Sequence, residues 1–267
     1  MYRLILPLAF VCCLATFPAG VAARTANPPA GNPRVGNPRV GNPRVGNPCP
    51  AAAESVVQII CLQSDMRTLL GCGSGFFVQD GSIVATAGHI YWESSKSIAE
   101  NRHGGAVYAR KSDTDGHSFL VKLDFIKADE VHDLALFRFD RGAAVRQWPG
   151  FVTKPLRFAA AKPQIGDEIC AIGYFGADDF PTALKGIVSA LTRPAPGGAD
   201  EELLMNISAI PGQSGCPVLN WQTGEVVGLM TSYVPIVLTP GGPQVSSGIS
   251  RATEAEHITE LIEPALP

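Results

Sequence analysis

Ser214 lies in the heptapeptide Pro211-Gly212-Gln213-Ser214-Gly215-Cys216-Pro217, a serine between two glycines with a proline shortly after. Such a stretch makes a tight turn that aims a hydroxyl outward. It also frees the serine's own N–H and that of Gly212 to stabilise a developing negative charge. A serine hydroxyl attacks poorly unless a nearby base takes its proton, and the base must itself be oriented. The candidate base is His89, which ends Ile83-Val84-Ala85-Thr86-Ala87-Gly88-His89. The candidate orienting carboxylate is Asp133, which opens Asp133-Leu134-Ala135-Leu136-Phe137. Together these residue types describe acyl transfer by nucleophilic catalysis. The other histidines read as incidental. His132 adjoins Asp133 and on a strand would face the other way, while His103 and His117 fall in polar, glycine-containing loops. No pair has zinc-ligand spacing with a supporting cluster, so neither a metal nor a cofactor is expected.

The elements that must position these residues are short apolar runs separated by turn residues. Val56–Leu62, Gly75–Val78, Ser82–Ala85, Phe119–Phe125 and Leu134–Phe139 read as one set of strands. Leu156–Ala159, Asp167–Ile172, Gly186–Leu191, Leu203–Ile207, Pro217–Asn220 and Glu225–Thr231 read as a second set, after Pro149-Gly150. Asp80-Gly81 between apolar runs is a hairpin signal and puts His89 just past the second strand of that hairpin. Two strand sets with few helical periods predict an all-β chain of two antiparallel six-stranded barrels, about 54–148 and 152–250. Thr253-Glu254-Ala255-Glu256 reads as a capping box opening a short C-terminal helix, 254–263, with Ile258, Leu261 and Ile262 on its apolar face.

The first fifty residues have a different character. Arg3, an apolar run from Leu4 to Phe17 and small residues ending Val21-Ala22-Ala23 read as a signal peptide over 1–23. Residues 24–50 carry Gly31-Asn32-Pro33-Arg34-Val35 and its repeats, a composition unable to build a packed core and read as a linker. The folded domain is expected over 51–267. A secreted or periplasmic location is expected, with no integral membrane span once the signal is removed; the alternative is that 1–23 stays uncleaved as a membrane anchor. The net charge of −3 over 267 residues gives no reason to expect a nucleic-acid surface. Oligomeric state is left open.

Gly73-Ser74-Gly75-Phe76, Thr86-Ala87-Gly88-His89, Asp133-Leu134-Ala135-Leu136 and Gly212-Gln213-Ser214-Gly215 resemble, in type and order, the trypsin-like serine peptidases. The likeness is greatest to the bacterial branch with the HtrA proteases and glutamyl endopeptidases, and it covers roughly 54–250. The order His, Asp, Ser is that of the chymotrypsin type. The resemblance implies a chymotrypsin-like fold with a cleft between the barrels, His89 and Asp133 coming from the first and Ser214 from the second. It implies that Ser214 attacks, that His89 carries the proton and Asp133 fixes its tautomer, and that the N–H groups of Gly212 and Ser214 form an oxyanion hole. Protein or peptide would be the substrate. No PDZ-type module is expected after the helix, unlike HtrA architecture. Gln213 replaces the aspartate of animal trypsins, so activation by a freshly cut N-terminus is not expected. A catalytically silent binding protein on the same fold, and an esterase, are the rival readings.

Counting back from Ser214 as the resemblance directs, Ser208 would floor the primary specificity pocket, with Ala209 next to it and Thr231, Ser232 and Tyr233 as wall. With no aspartate at the floor and Met230 where glutamyl endopeptidases carry a histidine, small or medium apolar residues would fit. A contribution from the loop Gly241–Ser247 is left open. Beyond Cys12 and Cys13 in the leader, Cys49, Cys61, Cys72, Cys170 and Cys216 remain, an odd set for an exported chain. The family partner positions of Cys72 and Cys170 are held by Ile90 and Asn220, which breaks the usual staples. A Cys170–Cys216 bridge is conceivable. As a rival nucleophile Cys216 is weakened by Pro217 behind it and by the missing Gly-x-Cys-Gly frame.

Overall fold

The run Val56–Leu62 contains one polar residue, Gln58, and a strand of that composition must be covered on both faces. The computed structural model describes residues 47–100, 104–112, 118–148, 151, 153–176, 178, 180–192, 202–237 and 244–263. The expected signal peptide, the repeats, His103 and His117 lie outside them. A short helix α1 (Cys49–Ala53) leads into β1 (Val56–Gln63), which is buried from Val56 through Leu62. Then follow β2 (Leu69–Val78), β3 (Ile83–Ala87), α2 (Gly88–Glu100), β4 (Gly105–Ser112), β5 (Ser118–Lys122), β6 (Asp124–Asp129), β7 (Leu134–Arg138) and α3 (Arg141–Gln147). The second half comprises β8 (Glu168–Tyr174), β9 (Pro181–Leu191), β10 (Glu202–Met205), β11 (Pro217–Asn220), β12 (Val226–Val237), β13 (Gln244–Glu254) and α4 (Ala255–Ile262).

The all-β, chymotrypsin-like class stands, with a difference in closure. The second half is a closed barrel in the order β10-β13-β12-β11-β8-β9, whereas the first is a seven-stranded antiparallel sheet in the order β5-β4-β1-β2-β3-β7-β6. Its two edges, β5 and β6, are separated in sequence by Leu123 alone. Consecutive Cα atoms are about 3.8 Å apart, so the sheet must curl until its edges meet, a half-barrel closed by covalent chain. Leu123 makes that corner: it is buried, and its N–H donates to Val107 O at 2.9 Å. The single strand expected over Phe119–Phe125 is therefore two.

Phe76, Phe77 and Phe137 are fully buried, and Phe77 meets Phe151 edge-on at 6.0 Å. The β2–β3 hairpin turns at Asp80-Gly81 as expected. Gly81 has φ +84 and lies so close to Thr153 that a Cβ would come within 2.3 Å of its carbonyl oxygen. Several elements lack the pattern that announces them. α2 starts directly after β3, where no apolar stripe marks a helix. β13 is rich in serine and glycine along Ser246-Ser247-Gly248 and is a strand because β12 and β10 both pair with it. Leu156–Ala159, expected as a strand, contributes one bridge, Phe158 to Val226. At the C-terminus the helix starts one residue later than a threonine cap requires, with Glu254 at the N-cap and no side-chain cap bond. The Thr253 hydroxyl donates instead to His132 O at 2.6 Å. Lys162 fastens the start of α4 by pairing with Glu254 at 3.0 Å and Glu256 at 2.9 Å. No helix among the described residues is long and apolar enough to cross a membrane.

Cys170 pairs with Cys49, not with Cys216, across a Cα–Cα distance of 6.7 Å and 121 residues of sequence. The bridge ties α1, at the head of the first half, to β8 of the second. Closing so long a loop restricts the unfolded chain strongly, a contribution of about 2–5 kcal/mol. Reduction, or Cys49→Ser together with Cys170→Ala, is expected to lower the urea midpoint accordingly. Unfolding curves that coincide with and without reductant would show that the bridge carries no such constraint.

Candidate active site

Asp133 sits where the β6–β7 turn meets β7, with φ +54. This left-handed conformation costs most residues about 1–2 kcal/mol and is one that aspartate tolerates. The turn is over-determined by its neighbours. The Asp129 carboxylate accepts from Val131 N at 2.8 Å, from His132 N at 3.2 Å and pairs with His132 Nδ1 at 2.6 Å. Burial pushes the Asp129 carboxyl up, and the His132 bonds outweigh it, leaving its pKa below the ordinary value. The His132 ring stacks on His257 of α4, centroids 3.8 Å apart. His132 is thus not incidental: its ring and carbonyl both hold the turn that presents Asp133. Sequence alone gave no sign of it: Asp129 is a local partner, but His257 and Thr253, which complete the hold, lie more than a hundred residues away.

His89 enters from the first turn of α2, immediately after β3. Gly88 N donates to Asp133 O at 2.8 Å, His89 N to Asp133 Oδ1 at 2.7 Å, and His89 Nδ1 lies 2.8 Å from Asp133 Oδ2. An ionised carboxylate only accepts, so Nδ1 carries the proton and the neutral ring presents a bare Nε2. Burial pulls the imidazole pKa down. The Asp133 hydrogen bond and charge, with Glu93 one helical turn on, overcome that and raise it above the ordinary value. Both side chains remain partly open, 24% and 28% exposed, so a reactant can reach the ring.

Ser214 lies between β10 and β11, with Gly212 at φ +96 and Gly215 at φ +86. Gly215 is wedged against the first half: a Cβ there would come within 2.1 Å of Ser74 O and 2.4 Å of Thr86 Oγ1. Ser74 N donates to Ser214 O at 2.8 Å. The serine is thereby carried to the end of β3, beside the stretch that leads into His89. Its hydroxyl donates to Thr231 O at 3.3 Å. Among the described residues Ser214 and His89 share no hydrogen bond, and neither Gly212 N–H nor Ser214 N–H has a protein acceptor. The arrangement therefore presents an oriented imidazole, a hydroxyl on a different acceptor and two uncommitted amide donors.

The pocket candidates are less concentrated. Thr231 is buried at a bulge of β12, Ala209 and Tyr233 are half-buried, and Ser208 and Ser232 are exposed. A residue the sequence did not single out, Gly248 (φ +81), faces Ser208: a Cβ there would lie 3.7 Å from Ser208 Oγ. Cys216 is fully buried, and burial pushes its thiol up to about 12. A thiol held protonated inside the barrel is no rival to Ser214. Cys61 is also buried and raised by burial, its thiol bonded to Ser94.

The balance at His89 can be measured. With Asp133→Asn the opposing charge is gone and burial dominates, so the His89 ring, followed by NMR, is expected to titrate below the ordinary histidine value. A midpoint that stays raised would assign the shift to some other group.

Residues 73–229 match the family of the Trypsin-like peptidase domain. The chain is 32% identical over 173 residues to a putative serine protease HhoA of Synechocystis sp. (strain ATCC 27184 / PCC 6803 / Kazusa), covering 62% of this chain and 38% of that protein. It is 27% identical over 193 residues to a probable periplasmic serine endoprotease, DegP-like, of Rhizobium meliloti (strain 1021), covering 72% of this chain and 32% of that protein. The match thus spans about a third of the length of these curated relatives. In fold it is similar to the crystal structure of Deg5, with TM-score 0.59 and 19% identity over 80% of this chain and 89% of that one. It is similar also to a serine endoprotease from Yersinia pestis, with TM-score 0.57 and 21% identity over 82% and 65%. With a family match across more than half its length and the histidine, aspartate and serine segments all inside it, the chain belongs to the trypsin-like peptidases, among relatives of the HtrA/DegP type.

Proposed function

We propose that the chain is an exported serine endopeptidase that cleaves peptide bonds through an acyl-enzyme. The observation that carries this reading is the His89–Asp133 pair, with Nδ1 committed to the carboxylate and Nε2 left to accept a proton. Substrate entry would turn the Ser214 hydroxyl from Thr231 O toward His89. His89 takes its proton as Oγ attacks the carbonyl carbon and then delivers it to the leaving amine. Asp133 holds the tautomer and steadies the imidazolium. The oxyanion meets the N–H groups of Gly212 and Ser214, each such donor worth about 3–4 kcal/mol in comparable sites. Water then repeats the sequence on the acyl-enzyme.

Ser208, Ala209, Thr231, Ser232 and Tyr233, with Gly248, would form the primary pocket. None bears a charge, and burying a substrate lysine or arginine there unpaired is costly. Small or medium apolar residues before the cut are the expected preference. Export is supported by the Cys49–Cys170 bridge, since disulfides persist in oxidising compartments. Two of its DegP-like relatives are themselves described as probable periplasmic serine endoproteases. In this reading residues 1–23 are removed and the linker tethers up to α1, where Cys49 and Pro50 already join the folded unit that catalyses. A second reading, a silent binding protein, draws on the Ser214 hydroxyl resting on Thr231 O.

A fluorophosphonate probe separates the two. Mature protein is expected to be labelled at Ser214 and Ser214→Ala to lose both label and peptide cleavage; absence of label on the unmutated protein would favour the binding reading. Because the His89 pKa is raised, its protonated, inactive form persists to higher pH. The rising limb of kcat/KM should therefore have its midpoint above about 6.5. The linked stability has the same sign, fully present below the unfolded value and lost as pH rises through the folded one. A profile flat from about pH 5 to 9 would speak against a histidine base. A peptide-library digest should give cuts after alanine, valine or leucine, and dominant cuts after arginine, lysine or glutamate would mean the pocket is elsewhere.

A further inference from the structure

Gln58 is a polar side chain in the middle of an otherwise apolar buried strand, and it is completely inaccessible. In register it stands directly opposite Ser74 of β2 on one side and Arg110 of β4 on the other. Directly paired residues of neighbouring strands point to the same face, so Arg110, Gln58 and Ser74 form one polar row across three strands. All three hydrogen-bond to main-chain oxygens of the second half. Arg110 Nη2 donates to Asp178 O at 2.8 Å, Gln58 Nε2 to Gly176 O at 2.5 Å and Ser74 Oγ to Gly212 O at 2.7 Å. Ser74 Oγ also accepts from Tyr174 N at 2.8 Å. The Gln58 amide has only one workable orientation, since a carbonyl oxygen can face its NH2 but not its oxygen.

The next bond links this row to the chemistry. Gly176 N donates to Pro211 O at 2.8 Å. Pro211 C=O and Gly212 N–H belong to the same peptide unit, which is trans and planar, so its N–H points opposite to its C=O. Holding Pro211 O on Gly176 therefore fixes the direction of the Gly212 N–H, one of the two oxyanion donors. Without that hold the unit could turn, because Gly212 carries no Cβ to oppose rotation. Gly176 is held in turn by Gln58 from the floor of the cleft and, through Asp178 O, by Arg110 from the rim. The Asp178 N to Phe175 O bond at 2.9 Å closes the loop between them.

We propose that Gln58 and Arg110 are positioning residues for the oxyanion hole: through Gly176 and Asp178 they set the peptide unit that aims Gly212 N–H. The proposal rests on the serine-peptidase reading above. A purely adhesive role between the two halves would affect stability alone, whereas this one acts on the transition state and leaves substrate binding in place.

The test uses the full mature protein and Gln58→Met, which keeps an unbranched side chain of similar length and removes the donor. The expected result is a fall in kcat of about 10- to 100-fold with KM little changed, the scale of a misaimed oxyanion donor. Affinity for a peptide aldehyde, which forms a tetrahedral adduct on the serine, should fall by a similar factor. Affinity for a cleaved product peptide should not, and the midpoint of the pH–rate profile should stay where His89 puts it. Gln58→Glu, which sets an acceptor against Gly176 O, should lose at least as much. Should Gln58→Met fail to fold, Arg110→Met reaches the same loop from the half-exposed rim and is expected to show the same split in smaller measure. The proposal is overturned if folded Gln58→Met or Arg110→Met keeps kcat within about twofold, or if activity falls only in proportion to the unfolded fraction. If the unmutated protein takes no fluorophosphonate label, the peptidase reading itself fails, a result distinct from either.

Discussion

Every polar atom of Ser74 is engaged where the two halves of the fold meet. Its N–H donates to Ser214 O, its carbonyl accepts from Thr86 Oγ1, and its hydroxyl donates to Gly212 O while accepting from Tyr174 N. The residue has no exposed surface. Buried polar groups of this kind are costly to leave unpaired, about 1–3 kcal/mol each, so the β2 strand and the Ser214 loop can pack in one relative position only. Gly215 makes that closeness possible, since a Cβ there would come within 2.1 Å of Ser74 O, and Gly73 adds to it, with Ser214 O 3.2 Å from where its Cβ would lie. The juxtaposition of a histidine from one half with a serine from the other follows from this seam.

Around the seam, charge and strain are placed where the chemistry needs them. Asp133 takes a left-handed backbone, and the Asp129–His132–His257 cluster, with Thr253 on the His132 carbonyl, keeps it there. Strain of that kind persists only when the surroundings over-determine it. The Asp133 carboxylate then receives both the main-chain N–H and the ring of His89. Burial alone would depress the imidazole; the carboxylate restores its capacity to take a proton. The same burial, without a countercharge, keeps the Cys216 thiol protonated two residues from Ser214. The histidine at the partly open cleft and the thiol inside the barrel core are thus driven apart by whether a carboxylate stands beside them.

The two halves are closed by different means. The second barrel is complete in hydrogen bonds, and the first is completed by the chain itself at Leu123. A sheet whose edges are joined by a single residue cannot flatten, so β1, β2 and β3 present a fixed wall to the second half. The Cys49–Cys170 bridge adds a covalent constraint across the same boundary.

The candidate site residues were legible in the sequence because their flanks are local: a serine between glycines, a histidine after a strand, an aspartate before one. The strands with apolar runs, the Asp80-Gly81 hairpin and the all-β class were legible for the same reason, since alternation and turn preference act over a few residues. Tertiary contact alone decided the rest. β13 has no apolar pattern of its own and is a strand because β10 and β12 flank it. Cys170 chose Cys49 over Cys216 because the fold brings α1 to β8 and turns Cys216 into the barrel core. Gln58 reads in sequence as a blemish in an apolar run; only the register that aligns it with Ser74 and Arg110, and the loop that crosses above it, gives its amide a partner. Sequence fixes what a residue can do within its own element, while hydrogen-bond partners more than a hundred residues away exist only once the two halves have packed.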